Sequence, residues 1–279
     1  MTEDASPGHM TSGAGRRTGG SPAHQAAPDV PADDVPADVP AGQRYLRTVA
    51  GLIAGLETRE WPHIQAAATL MADALVAGAA IHAFGSGHSH ILAEELFYRA
   101  GGLVRVRPIL FEGLMLHSSA PLSTVLERLP GLATALLDDH SVAAGDVLLI
   151  ASNSGSNAVI TEMARQARAR GVSTIAITSL AHATSEAARQ QGAPRLHELV
   201  DVTIDNGGVV GDAAIAVAGL PTRVSPTSTV VGAAIANAIV AEAVERMARQ
   251  GLIADVFTSS NVAGGDAINE RHLRTVDGR

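Results

Sequence analysis

The period of the hydrophobic positions changes from segment to segment along this chain, and each change marks a strand giving way to a helix. Val147–Ala151 is a short unbroken apolar run, the pattern of a strand covered on both faces, and it breaks at once into Ser152-Asn-Ser-Gly-Ser-Asn157. Helical spacing follows over Val159–Arg170. The same design occurs earlier: Ala79–Phe84 is apolar, Gly85-Ser-Gly-His-Ser89 is a small polar turn, and His90–Ala100 carries Ile91, Glu94, Glu95 and Tyr98 three and four residues apart. Leu103–Leu110, Ser173–Thr178 and Leu199–Ile204 are expected to be further strands. Leu122–Leu136 is an interrupted helix, Thr184–Gln190 a short one, and Thr229–Arg249 a long one apolar enough to be mostly buried. Ahead of the first strand, Leu46, Val49, Ile53 and Leu56 form a helical stripe, and Pro62 opens a second helix that Gly78 ends. Strands alternating with helices predict an α/β fold: a doubly wound parallel sheet of about five strands, with N-terminal helices.

Residues 1–41 break the pattern. They are crowded with Ser, Gly, Ala and Pro, include the near-repeat Val30-Pro-Ala-Asp-Asp-Val35-Pro-Ala-Asp-Val39-Pro40, and lack apolar periodicity. Such a stretch buries too little surface to offset its ordering entropy, so a disordered tail is expected there and one domain over 42–279. Composition narrows the rest. With 46% hydrophobic but only 3% aromatic residues, the core has to be built from Ala, Val, Leu and Ile. A net charge of −8 argues against a nucleic-acid surface. No apolar run is expected to reach the ~18–20 residues of a bilayer span, so no membrane partner and a cytoplasmic location are expected. The chain has no cysteine and no lysine, which excludes disulfides, thiolate nucleophiles, lysine Schiff bases and a P-loop lysine.

The two polar turns carry the chemistry. Ser152–Ser156 offers hydroxyls and unencumbered backbone N–H groups just before a helix, Asn157 suits the N-cap, and the helix dipole attracts an anion. Two strand–turn–helix units place both turns at the edge where open α/β sheets bind ligands. Pro221 and Pro226 lead to Thr227-Ser-Thr229 before the long apolar helix, a segment that either caps that helix or closes the site.

Gly85-Ser-Gly-His-Ser89, Ser152-Asn-Ser-Gly-Ser-Asn157 and the Pro221/Pro226 segment with Thr227–Thr229 together resemble the sugar isomerase (SIS) domain, a flavodoxin-like phosphosugar-binding fold, over roughly residues 42–270. Phe84–Gly102, Gly113-Leu-Met-Leu-His117, Asp205-Asn-Gly-Gly208 and Ser260-Asn-Val-Ala-Gly-Gly-Asp266 are similar to a single-domain bacterial subfamily whose actinobacterial members resemble N-acetylglucosamine-6-phosphate dehydratase. The resemblance implies that Ser152, Asn153, Ser154 and Ser156 hold the phosphate of a sugar phosphate. It assigns Ser86, His88 and Ser89 to the sugar or to further phosphate contacts, with Thr227 and Ser228 closing the site.

A base near the sugar C2 is also needed, because the open-chain aldehyde acidifies that proton. Phosphoheptose isomerases share the Ala-Glu-Glu-Leu of Ala93–Leu96, and there the second glutamate is catalytic, which points to Glu95; this chain has about four fewer residues between turn and glutamates, one helical turn. The acid is drawn from His88, His90 and His117, with His117, near Glu112, assigned. His82, His182 and His197 lie outside any motif, and Asn206, Asp212, Asn261 and Asp266 either touch sugar hydroxyls or make turns. His90 and Glu94 stand four apart on one helix face, but without a third ligand no metal is expected, and no cofactor. The expected activity is a lyase that dehydrates N-acetylglucosamine 6-phosphate. An aldose–ketose isomerase and a non-catalytic phosphosugar sensor are the alternatives, and a dinucleotide enzyme ranks last because His90 stands where a third glycine belongs. A homodimer is expected from the leading helices.

Overall fold

The computed structural model describes residues 38–186 and 194–277. Most of the expected tail therefore lies outside the described residues. α1 (Ala41–Gly55) and α2 (Trp61–Val76) are joined by a π turn over Leu56–Glu60. Five parallel strands follow: β1 (Ile81–Gly85), β2 (Val106–Ile109), β3 (Val147–Ala151), β4 (Ser173–Thr178) and β5 (Val202–Asp205), in the order β2-β1-β3-β4-β5. This is the flavodoxin-like doubly wound sheet, with its switch point between β1 and β3. The remaining helices are α3 (His90–Leu96), α4 (Leu116–Leu126), α5 (Leu132–Asp139), α6 (Ala158–Ala169), α7 (Leu180–Ala183), α8 (Leu196–Leu199), α9 (Ser228–Arg249) and α10 (Gly265–Asp277).

Alternate residues of each strand serve opposite faces. Ile81, Ala83, Val147, Leu149, Ile175 and Ile177 pack with α2, α3 and α9, whereas Phe84, Leu148, Ile150 and Ala176 pack with α5 and α6. A strand sandwiched this way has no polar face to show, which is why β3 reads as an unbroken apolar run. By length and composition α9 is apolar enough to cross a bilayer, contrary to the expectation that no run is long enough. Its Val231, Ile235, Ile239 and Ala243 are instead buried in the core beside α2.

Several boundaries differ from expectation. The helix expected over His90–Ala100 stops at Leu96: Phe97 is extended and Tyr98 takes φ +44°, with its ring 4.8 Å from that of Phe257. Leu103 and Val104 do not extend β2. They pair with the C-terminal segment through the Leu103–Val256 bridge and the Val104 N–H bond to the Asp255 carbonyl. The interruption expected within Leu122–Leu136 divides it into two helices with wider outer bounds, α4 and α5, separated at Pro130 and at Gly131, whose φ is +90°. Leu199 ends α8 rather than beginning β5, and Thr184–Glu186 is a turn; the rest of that expected helix lies outside the described residues. A two-stranded antiparallel hairpin, β6 (Ala213–Ile215) with β7 (Val224–Pro226), had no strong pattern in the sequence. It is tied to α1 by the Arg44 guanidinium on the Ala216 carbonyl (2.9 Å) and by Tyr45 O–H on the Pro226 carbonyl (3.0 Å).

Candidate functional site

Parallel pairing of β1 with β3 in matched register brings Gly85 beside Ala151, so the two polar turns leave the sheet side by side at its C-terminal edge. The first turn folds back tightly: a Cβ on Gly85 would lie 2.4 Å from the Ser89 carbonyl oxygen, so only glycine closes it. In the second, Gly155 takes φ +58° and donates its N–H to Ser152 Oγ at 3.1 Å.

Between the turns lies a small open cleft, lined by Ser89, Ser152, Asn153, Asn206, Ser228 and Thr229 over an apolar floor of Leu92, Ala151 and Ile177. Of the residues assigned from sequence, Ser89, Ser152, Asn153 and Ser228 are thus brought together, and Asn206 joins them from the end of β5. Asn206 Nδ2 donates to Asn153 Oδ1 at 2.9 Å, while its own Oδ1 accepts the Gly208 N–H at 2.8 Å. The assigned residues Ser154, Ser156, Ser86, His88 and Thr227 do not line it. Ser154 and Ser156 hydroxyls meet each other at 3.4 Å, Ser86 O–H donates to Glu127 Oε2 at 3.3 Å, and His88 is exposed in the turn. Thr227 is buried at the N-cap of α9 without a side-chain cap bond. Asn157 likewise makes no side-chain cap, contrary to expectation, because the Val159 N–H is taken by the Glu127 carbonyl and the Ile160 N–H by Asn157's own carbonyl.

Glu95 does not line the cleft. It sits one turn beyond Leu92 on the seam between α3 and α9, paired with Arg99 and accepting Asn237 Nδ2–H at 2.8 Å. His117 is exposed at the start of α4, its ring 6.2 Å from that of His90. His90 Nε2 lies 3.7 Å from Glu94 Oε1. A second groove, lined in part by Tyr98, Arg99, Phe257, Ser259 and Asn261, holds the start of the Ser260–Asp266 motif.

Three features escaped the sequence. Glu127 joins the first turn to the start of α6, its carboxylate on Ser86 and its carbonyl on Val159 N–H, from a helix end with no motif around it. Glu60, set by the π turn, is buried and accepts the Asp205 N–H at 3.1 Å and faces His63 Nδ1 at 3.2 Å; burial holds its carboxyl above the ordinary range. His182, set aside in the sequence, accepts the Gly211 N–H on Nδ1 at 2.8 Å, and burial lowers its pKa against the opposing pull of Asp212.

A family profile described as the SIS domain matches residues 44–179. UPF0309 proteins are similar over most of their length: that of Geobacillus thermodenitrificans is 45% identical over 214 residues, 77% of this chain and 86% of that protein. One from Brucella canis is 40% identical over 226 residues, 81% of this chain and 92% of that one. Among solved structures, a phosphoheptose isomerase from Francisella tularensis superposes with a TM-score of 0.48 at 13% identity, covering 72% of this chain and 95% of that one. The sugar isomerase domain of an RpiR transcription factor from Sphaerobacter thermophilus has a TM-score of 0.43 at 16% identity, over 86% and 97% respectively.

Proposed function

The chain belongs to the UPF0309 family of SIS-domain proteins, and from that premise we propose that it is a phosphosugar lyase that dehydrates N-acetylglucosamine 6-phosphate. One observation carries the reading: the two polar turns, at the β1/β3 switch point, share a small cleft rich in hydroxyl and amide groups. Neutral donors of this kind grip a phosphate dianion, and the apolar floor accepts the carbon face of a sugar.

In the proposed reaction Glu95 removes the C2 proton of the open-chain aldehyde, the C2 electrons form a C2–C3 double bond, and the C3–O bond breaks as His117 protonates the departing hydroxyl to water. To reach that proton the Glu95 carboxylate leaves Arg99, or the sugar extends along the α3–α9 seam from Leu92. The homodimer belongs to the same reading, favoured by the apolar side chains that α1 and the start of α2 turn outward, Leu46, Ile53 and Trp61. A monomer in sedimentation velocity removes that part.

Incubation with N-acetylglucosamine 6-phosphate, glucosamine 6-phosphate and sedoheptulose 7-phosphate, followed by chromatography and mass spectrometry, tests the activity. Loss of the mass of one water is expected for the first. A shifted peak at unchanged mass makes the protein an aldose–ketose isomerase, and binding without turnover or solvent exchange at C2 makes it a sensor. Glu95→Gln is expected to lower turnover about 10²–10⁴-fold with sugar-phosphate affinity largely kept, and to stop deuterium exchange at C2. Full activity in Glu95→Gln with loss in Glu127→Gln, Glu94→Gln or Glu112→Gln moves the base and keeps the carboxylate mechanism.

A further inference from the structure

The turn before α6 and the first residues of α9 both line this cleft, and the two helix starts differ in what they already hold. α6 has no acidic residue in its first turn and no side-chain cap. α9 begins with a carboxylate already seated on it. Asp212 Oδ1 accepts the Thr227 N–H at 3.1 Å and the Ser228 N–H at 2.9 Å, and Oδ2 accepts the Ser228 O–H at 2.5 Å. That anion answers the positive end of the α9 dipole, so a phosphate brought there meets like charge.

The same carboxylate decides what Ser228 offers. A serine hydroxyl has one hydrogen and two lone pairs, and a carboxylate only accepts. With its hydrogen on Asp212, Ser228 has lone pairs left for the cleft. Ser152 and Asn153 differ from it: Ser152 Oγ accepts Gly155 N–H and Asn153 Oδ1 accepts Asn206, and neither the Ser152 O–H nor the Asn153 NH₂ is donated to a partner among the described residues, so their hydrogens remain to be given.

We infer that Asp212 is a positioning residue that fixes Ser228 as a hydrogen-bond acceptor, so that the α9 wall receives a donor group of the sugar, a hydroxyl or an amide N–H, and leaves the phosphate to the turn before α6. This rests on the sugar-phosphate reading above and adds the direction in which the ligand lies. The frame around Asp212 is built for the purpose: φ is +66°, its N–H bonds the Val209 carbonyl at 2.9 Å, and the neighbouring Gly211 N–H is held by His182.

Asp212→Asn keeps the shape. Its oxygen still accepts the two backbone N–H groups, but its NH₂ now donates to Ser228 Oγ and turns the serine hydrogen toward the cleft. Parent, Asp212→Asn and Ser228→Ala are titrated by calorimetry with N-acetylglucosamine 6-phosphate and with inorganic phosphate. Sugar-phosphate affinity is expected to fall on the order of tenfold in both variants while inorganic phosphate binds as in the parent; Ser152→Ala weakens both ligands. Unchanged sugar-phosphate affinity in the variants overturns the inference, and so does an equal loss for both ligands, which puts the phosphate at α9. A parent that binds no sugar phosphate removes the underlying reading and this inference with it. Ser228→Ala leaves both backbone bonds of Asp212 in place, so the test stands even if Asp212→Asn does not fold.

Discussion

At the scale of single residues, what a side chain can do in this cleft depends on which of its atoms are already engaged. Ser152 is 7% exposed, and its oxygen accepts the Gly155 N–H on one lone pair. Its hydrogen is therefore the group an anion meets. Ser152→Ala removes that donor and the latch on Gly155 together, and is expected to weaken phosphate and sugar-phosphate binding by about 1–3 kcal/mol, roughly 5- to 150-fold in calorimetry. His82 shows the opposite situation. It is fully buried in β1, its Nε2 lies 3.2 Å from Asp146 Oδ2, and its Nδ1 has no hydrogen-bond partner among the described residues. A neutral ring with its hydrogen on Nε2 fits that setting, and burial lowers its pKa in spite of Asp146.

At the scale of elements, the α3–α9 seam sets the apolar floor of the cleft. Gly232 of α9 faces Leu92 of α3, and a Cβ at Gly232 would lie 2.7 Å from Leu92 Cδ1. Because Leu92 is also floor, overfilling the seam acts on stability and on binding at once. Gly232→Ala is expected to lower unfolding stability by about 1–3 kcal/mol in urea and to weaken the sugar phosphate more than inorganic phosphate. A stable variant with unchanged affinity for both ligands would show that Leu92 has room to turn away. The hairpin is the second decisive element: β6 and β7, fastened to α1, carry Asp212 and deliver it to α9.

At the scale of the whole molecule, Asp146 ties the N-terminal edge of the sheet together. It accepts the Ala80 N–H, the Ala143 N–H and the Nε2–H of a neutral His82 ring, joining β1, β3 and the loop ahead of β3. His82, His182 and His197 all have pKa values lowered by burial. The folded state then binds fewer protons than the unfolded chain. Stability from these groups is complete above the unfolded value near ~6.5 and is lost as pH falls below it toward the folded values. Urea unfolding of the parent from pH 8 to pH 5 should show that decline, and His82→Gln should make it shallower. An identical slope in the variant assigns the decline to the other two. Glu60, raised by burial, has the opposite sign: its contribution is present at low pH and lost as pH rises through its folded value.

The sequence alone determined the alternation of strands and helices and the two polar turns, because a strand buried on both faces and a turn that must bend sharply leave period and composition as their trace. Val147–Ala151, Ser173–Thr178 and the Gly85–Ser89 turn were legible for that reason. So was most of one wall of the cleft, Ser152 and Asn153 beside Ser89. The pairing of Leu103 with Val256, the Glu127 contact to Ser86 and the Asp212 seat on α9 were not. Local spacing carries no signal for a hydrogen bond between residues far apart in the chain; the partner becomes visible only when packing brings it near. The tertiary structure alone decided which hydroxyls are left with hydrogens and which with lone pairs, because that depends on a partner whose position no neighbouring residue specifies.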